Sequence, residues 1–162
     1  MNTQNSLPRQ PANFYSGENW SAEESLGYLL RQTMSALNRA IETDMRPHGL
    51  TAVQWAPLLI ISRGGNPTAA SLARDLSTDT GAMTRMLDRL EVKGLLTRSR
   101  SEQDRRVVVL TLTDQGRELT TRIPHHLARV YNQQLSGFSN EEFVQLKDFL
   151  RRIIANRVGT EE

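Results

Sequence analysis

Apolar residues recur along the chain at two different periods, and each change of period marks a new element. Leu26, Leu29, Leu30, Met34, Leu37, Ile41 and Met45 return every three or four positions. That spacing predicts a long first helix ending near Arg46-Pro47-His48-Gly49. Ser21-Ala-Glu-Glu24 ahead of it reads as a capping box, whose side chains would satisfy orphan amides at a helix start. Thr51-Ala-Val-Gln54 reads as a second box, opening an apolar helix that runs to about Arg63. Pro57 falls inside that helix and is expected to bend it, because proline removes an amide donor.

Gly64-Gly65-Asn66-Pro67 breaks the pattern. Two short helical stretches follow, Thr68 to Leu76 and roughly Asp79 to Lys93, separated by a Ser-Thr turn and closed by Gly94. The period then falls to two: Leu95 to Arg100 and Val107 to Thr113 read as strands joined by polar Ser101-Glu-Gln-Asp104. From Thr113-Asp114 helical spacing returns through Leu119, Ile123, Leu127, Val130 or Tyr131, and Leu135, with Pro124 expected to kink it. Ser139-Asn-Glu-Glu142 is a third capping box, before a last helix with Phe143, Leu146, Phe149, Leu150, Ile153 and Ile154 on its inward face. Residues 1–20 carry prolines, a glycine and much Asn, Gln and Ser, and read as an irregular arm. Phe14, Tyr15 and Trp20 are candidates to dock that arm.

Two short helices joined by a tight turn and followed by a hairpin have the outline of a winged helix-turn-helix. The fold class predicted is therefore mainly α with a small β-hairpin wing. Leu72, Ala73 and Leu76, then Met83, Met86, Leu87 and Leu90, take the inner faces of the two short helices. Thr80, Gly81, Thr84, Arg85, Asp88 and Arg89 are left on the outer face of the second. Arginine donates twice to guanine or phosphate, and threonine reaches a base edge or a backbone oxygen. Gly81 would let the helix approach a duplex closely, and the helix N-terminus would attract phosphate. An ordinary amphipathic helix with a charged solvent face would show the same residues. Arg98, Arg100, Arg105 and Arg106 around the hairpin shift the balance toward DNA, since a solvated wing needs no such cluster. Asp104 could orient Arg106 for a narrow minor groove through a charge-assisted hydrogen bond.

Composition adds exclusions rather than chemistry. At 162 residues the chain is one domain with appendages or two very small domains. With 38% hydrophobic and 23% charged residues it can bury a sizeable core. Its longest apolar run, Ala56 to Ile61, is too short to cross a bilayer, and its start lacks the order of a secretory signal. Absence of cysteine excludes disulfides, thiol nucleophiles, thiol redox switches and thiolate metal sites. His125 and His126 are adjacent and diverge by about 100° on a helix, so they do not form a metal-binding pair. No phosphate-binding glycine loop and no supported catalytic triad is found, so no enzyme, cofactor or metal is expected. Of 20 basic residues 18 are Arg and only Lys93 and Lys147 are Lys, yet the net charge is a modest +2. Placement, not net charge, gives the arginines meaning.

Asp79-Thr-Gly-Ala-Met-Thr-Arg-Met-Leu-Asp-Arg-Leu90, Lys93-Gly-Leu-Leu, Asp104-Arg-Arg106 and Leu110-Thr-Leu-Thr-Asp-Gln-Gly116, in this order and spacing, resemble the MarR family of bacterial transcription regulators. The resemblance covers about residues 22–158, including the first helix and Gly49-Leu-Thr-Ala-Val-Gln-Trp55. It implies a cytoplasmic, nucleoid-associated homodimer whose terminal helices interlock while two winged lobes read one pseudo-palindrome, with half-sites about 34 Å apart. Residues 21–48 and 114–158 would then form the dimerisation region and 49–113 the DNA-binding lobe. Asp79, Thr84, Arg85 and Arg89 match the family's recognition-helix positions, and Asp104 and Arg106 match its wing-tip Asp-x-Arg. Thr80, Gly81, Arg98 and Arg105 complete the expected DNA-binding set. The apolar terminal stripes agree with a dimer, although a plain intramolecular core would account for either stripe alone.

The resemblance also implies a switch in which a small aromatic carboxylate or phenol enters a cleft and releases DNA. Candidate lining residues are Arg31, Met34, His48 and Trp55, with Gln54 beside them. Arg31 would clamp a carboxylate, or else serve as a surface or inter-subunit ion-pair partner. His48 is equally a turn residue and Trp55 equally a core residue. Thiol-based sensing, used in some branches, is excluded by the missing cysteines. The rival class is an architectural DNA-binding or protein-interaction winged helix without ligand control. Sequence preference in DNA binding separates the two.

Overall fold

The computed structural model describes residues 12–101 and 105–156. In order run α1 (Leu26–Met45), a 3-10 turn (Arg46–His48), α2 (Trp55–Ser62), α3 (Ala69–Asp75) and α4 (Thr80–Val92). Then come β1 (Leu96–Arg100), β2 (Val108–Leu112), α5 (Asp114–Gln134) and α6 (Asn140–Ala155). This is the mainly helical, hairpin-bearing order expected from the sequence. The chain divides into two units, Met1–Ala36 and Leu37–Glu162, with the division falling inside α1.

In the first unit, α1 starts later than the Ser21 box predicts. Residues 22–24 form a turn, and Ser25 does the capping instead: its Oγ accepts from Tyr28 N at 3.2 Å and its carbonyl from Leu29 N at 3.0 Å. Ser25 is buried, which shields those bonds from water better than an exposed Ser21 would allow. The segment before it is docked by Tyr15, whose hydroxyl accepts from Leu26 N at 3.0 Å. Trp20 packs edge-on against Tyr15 with ring centroids 5.5 Å apart.

The second unit is built on one buried cluster that includes Ile41, Met45, Leu58, Leu72, Met83, Leu87, Leu90, Leu96, Ile123 and Leu127. Each such side chain contributes about 1.5–3 kcal/mol relative to exposure. Leu72 and Ala73 of α3 and Met83, Leu87 and Leu90 of α4 are buried as the pattern predicts, with Leu76 and Met86 packed at the margin. Thr68 caps α3 in a reciprocal box with Ser71, and Asp79 caps α4 by accepting from Ala82 N at 2.9 Å. Between α3 and α4, Ser77 adopts a left-handed φ of 49° while Thr78 N reaches Ala73 O at 2.9 Å.

Several local expectations change. Thr51 N does donate to Gln54 Oε1 at 3.1 Å, but residues 52–54 form turns and α2 begins only at Trp55. Pro57 therefore occupies the third helical position, where no intrahelical donor is lost, and it has no bond to break. The helix α5 runs unbroken through Pro124. The α6 face expected to point inward is exposed: Phe149 is 51% and Ile154 68% accessible, and no residue of α6 is buried.

The hairpin pairs antiparallel with Leu96 opposite Leu112, Arg98 opposite Leu110 and Arg100 opposite Val108. Residues two apart on a strand share a face, so Arg98 stands on the same side as buried Leu96.

Candidate nucleic-acid interface

The outer face of α4 presents Thr80, Gly81, Thr84, Arg85, Asp88 and Arg89, all exposed, because the apolar positions at helical spacing point into the core. Thr84 Oγ1 donates to Thr80 O at 2.9 Å. Asp79 differs from the picture of a bare, phosphate-attracting helix start. Its carboxylate covers the first turn, and a Cβ placed on Gly81 would lie 3.1 Å from Asp79 Oδ1 and 3.5 Å from Arg85 Nη1. Asp79 Oδ1 and Arg85 Nη1 therefore both lie close to Gly81 at the start of α4.

Arg98 departs most from its sequence reading. Its Nη1 lies 2.5 Å from Asp88 Oδ1 and 3.6 Å from Glu91 Oε2, and its Nη2 donates to Thr84 O at 3.3 Å. The strand phase turns it toward α4, where it ties β1 to the middle of the helix. The period-two register with Leu96 carried this signal in the sequence. Arg100, Arg105 and Arg106 are exposed at the wing, whose neck is closed by Ser101 N donating to Val107 O at 2.9 Å. Asp104 lies outside the described residues.

The ligand candidates fall into different units. Arg31 stacks its guanidinium over the Tyr28 ring at 5.3 Å, and Met34 is 54% exposed; both belong to the first unit. In the second unit, Trp55 opens α2 and is half-buried, and its indole Nε1–H meets no acceptor among the described residues. The His48 ring contacts that of His126 edge-on at 4.3 Å between centroids. A cavity of about 420 Å³ beside it is lined by Asp44, Pro47, His48, Arg129 and Gln133, among others. A second, of about 170 Å³, includes His48, Leu95, Gln115 and Arg122.

Sequence reasoning did not single out Asp44. Burial opposes its charge, but bonds from Arg129 Nη2 at 2.5 Å and His126 Nδ1 at 2.7 Å outweigh that and hold its pKa below the usual aspartate value. Asp44 and its partners lie 82 and 85 positions apart, so no local motif announces the cluster. Among the described residues no group of acidic or histidine side chains could hold a metal ion, and no helix is long and apolar enough to cross a membrane.

A family model described as MarR family matches residues 50–108, which spans the two short helices and the hairpin up to β2. The multiple antibiotic resistance protein MarR of Salmonella typhimurium is 31% identical over 130 residues, covering 80% of this chain and 90% of that protein. This chain belongs to the MarR family. The MarR-type fold extends to the helices outside the matched segment. The crystal structure of the reduced form of MarR from E. coli superposes with a TM-score of 0.70 at 29% identity, covering 80% of this chain and 96% of that one. The S. aureus MepR–DNA complex has the same fold, with a TM-score of 0.73 at 22% identity and coverage of 84% and 99%. As a MarR-family member the chain is a DNA-binding transcriptional regulator, not an enzyme.

Proposed function

We propose that this regulator is a homodimeric repressor that reads a pseudo-palindromic operator and releases it when a small aromatic or phenolic acid binds. In this reading residues 49–113 form the DNA-binding lobe, and 21–48 with 114–158 form the dimerisation region. The observation that carries the DNA contact is the exposed α4 face, Thr80, Gly81, Thr84, Arg85 and Arg89, in the same lobe as wing residues Arg105 and Arg106. The MepR chain of the same fold was solved as a DNA complex, which supports DNA as the partner of this fold. Asp79 takes the capping role and Arg98 the role of holding the wing to α4. A protein with these contacts works in the bacterial cytoplasm, at the nucleoid when bound.

The dimer is supported by the apolar row that α6 leaves uncovered, including Phe143, Phe149, Ile153 and Ile154. For effector binding, His48 is the best supported candidate because it lines two cavities, and Trp55 offers a buried N–H donor. Arg31 and Met34 remain candidates from the first unit. Binding would shift the equilibrium only through a preference for the DNA-incompetent lobe spacing.

The test is an anisotropy titration of the protein against DNA upstream of its own and neighbouring genes, beside a scrambled duplex. Specific binding that weakens in Arg85→Ala and Arg106→Ala, needs both half-sites and falls on adding an aromatic acid supports the reading. Full affinity for a single half-site would remove the two-lobe arrangement, and indifference to a panel of such acids would remove the effector.

A further inference from the structure

We propose that Lys93 is a positioning residue that fixes the angle of the reading helix by bolting its C-terminus to the corner between α1 and α2. The inference rests on α4 being the DNA-reading helix. The end of α4 is held rigidly: Lys93 N donates to Arg89 O at 3.1 Å, Gly94 takes a left-handed φ of 69°, and Leu95 N reaches Leu90 O at 3.0 Å. From this closed turn Lys93 Nζ donates to Gly49 O at 2.6 Å and to Gln54 Oε1 at 2.8 Å, spanning 44 and 39 positions of sequence. Gly49 itself has a left-handed φ of 70°. Gln54 is 3% exposed, and its Oε1 also accepts from Thr51 N at 3.1 Å. The same corner is joined to the second half of α1, because Ala52 N donates to Glu42 Oε2 at 2.5 Å. A hydrogen-bonded line therefore runs from Glu42 through residues 49–54 to the last turn of α4.

The residue type fits this task. In a chain with 18 Arg and two Lys, the position meeting two converging oxygens is a Lys. An ammonium is a compact centre with three freely rotating donors, whereas a guanidinium is a wider planar fork. Leverage makes the joint matter for recognition. Arg85 precedes Lys93 by eight residues, about 12 Å along the helix, so a tilt of about 5° at the joint moves it by about 1 Å. That displacement is enough to take a base-edge hydrogen bond from 2.9 Å beyond bonding range.

The test measures affinity for the upstream duplex and for a scrambled one across a salt series, in the full chain and its folded variants. Lys93→Met is expected to lower the ratio of specific to non-specific affinity by about fivefold or more, with non-specific affinity and salt slope unchanged. Lys93→Arg should recover part of the ratio. Gln54→Met removes one of the two Lys93 bonds while keeping the charge and should show a smaller loss, and it carries the test if Lys93→Met does not fold. The double variant should lose less than the sum of the two single losses, since both remove the shared Lys93–Gln54 bond, the remainder of the Gln54 effect coming from its bond to Thr51 N. An unchanged ratio in a folded variant overturns the proposal. So does a salt slope smaller by about 0.9, which would make Lys93 a phosphate contact. If the parent shows no preference for any DNA, the reading of α4 fails and takes this inference with it; an unchanged ratio against a selective parent defeats the inference alone.

Discussion

Gly116, in the first turn of α5, supports the sharpest stability prediction. A Cβ built on it would lie 1.9 Å from Leu95 O and 2.9 Å from the Leu95 carbonyl carbon. The obstacle is backbone at the junction of α4 and β1, not the end of a flexible side chain. Real Cβ atoms essentially never come within 3.0 Å of such an atom, so Gly116→Ala must push the helix and the hairpin base apart by about 1 Å. Two bonds cross the same seam: Thr113 N donates to Leu95 O at 3.2 Å, and Thr113 Oγ1 donates to Gly94 O at 2.6 Å. Overpacking of this kind costs about 1–3 kcal/mol, and weakening one neighbouring hydrogen bond adds about 1 kcal/mol. A total of about 3 kcal/mol lowers the melting temperature of a chain this size by about 6–12 °C. The assay is thermal unfolding by circular dichroism at fixed protein concentration, with urea titration to check that the slope is unchanged. A Gly116→Ala melting temperature within about 2 °C of the parent would refute the close-approach argument.

Arg98→Ala should weaken DNA binding while leaving its salt slope intact, whereas Arg85→Ala should lower both affinity and slope, by about 0.9 for a phosphate contact. Equal slope losses in the two variants would return Arg98 to the DNA surface. Because the folded-state pKa of Asp44 is depressed, its contribution to stability is present above the ordinary aspartate pKa and is lost as pH falls through the folded value. Asp44→Asn should accordingly flatten the acid limb of a urea-midpoint profile below about pH 4, and a limb as steep as the parent's would exclude the cluster as its cause. Phe149→Glu, on the exposed apolar face of α6, should shift sedimentation from dimer to monomer at micromolar concentration. An unchanged dimer would place the interface elsewhere.

The sequence alone determined the order of elements, the helix-turn-helix core and the outward set on α4. Those features follow from local periodicity and capping, which a chain carries wherever it later folds. Helix starts were less legible where two capping residues competed: Ser21 and Ser25 are both serines, and burial of Ser25 chose between them. Pro57 looked disruptive because its effect depends on which residue begins α2, a boundary set by the turn at 52–54.

Only the tertiary structure decided how the charges are employed. Among the arginines of the wing, Arg98 and Arg100 share a strand face with Leu96, yet it is Arg98 that meets Asp88 and Glu91 of α4 while Arg100 and Arg105 are exposed. Asp44 found His126 and Arg129, and Lys93 found Gly49 and Gln54, across separations that no window of sequence spans. Likewise the stripe on α6 reads as core in the sequence yet lies exposed in the single chain. Apolar spacing states that a face must be covered, and the identity of what covers it depends on chain packing. A charged side chain is specified by the residue that happens to stand opposite, and that is fixed only when distant segments meet.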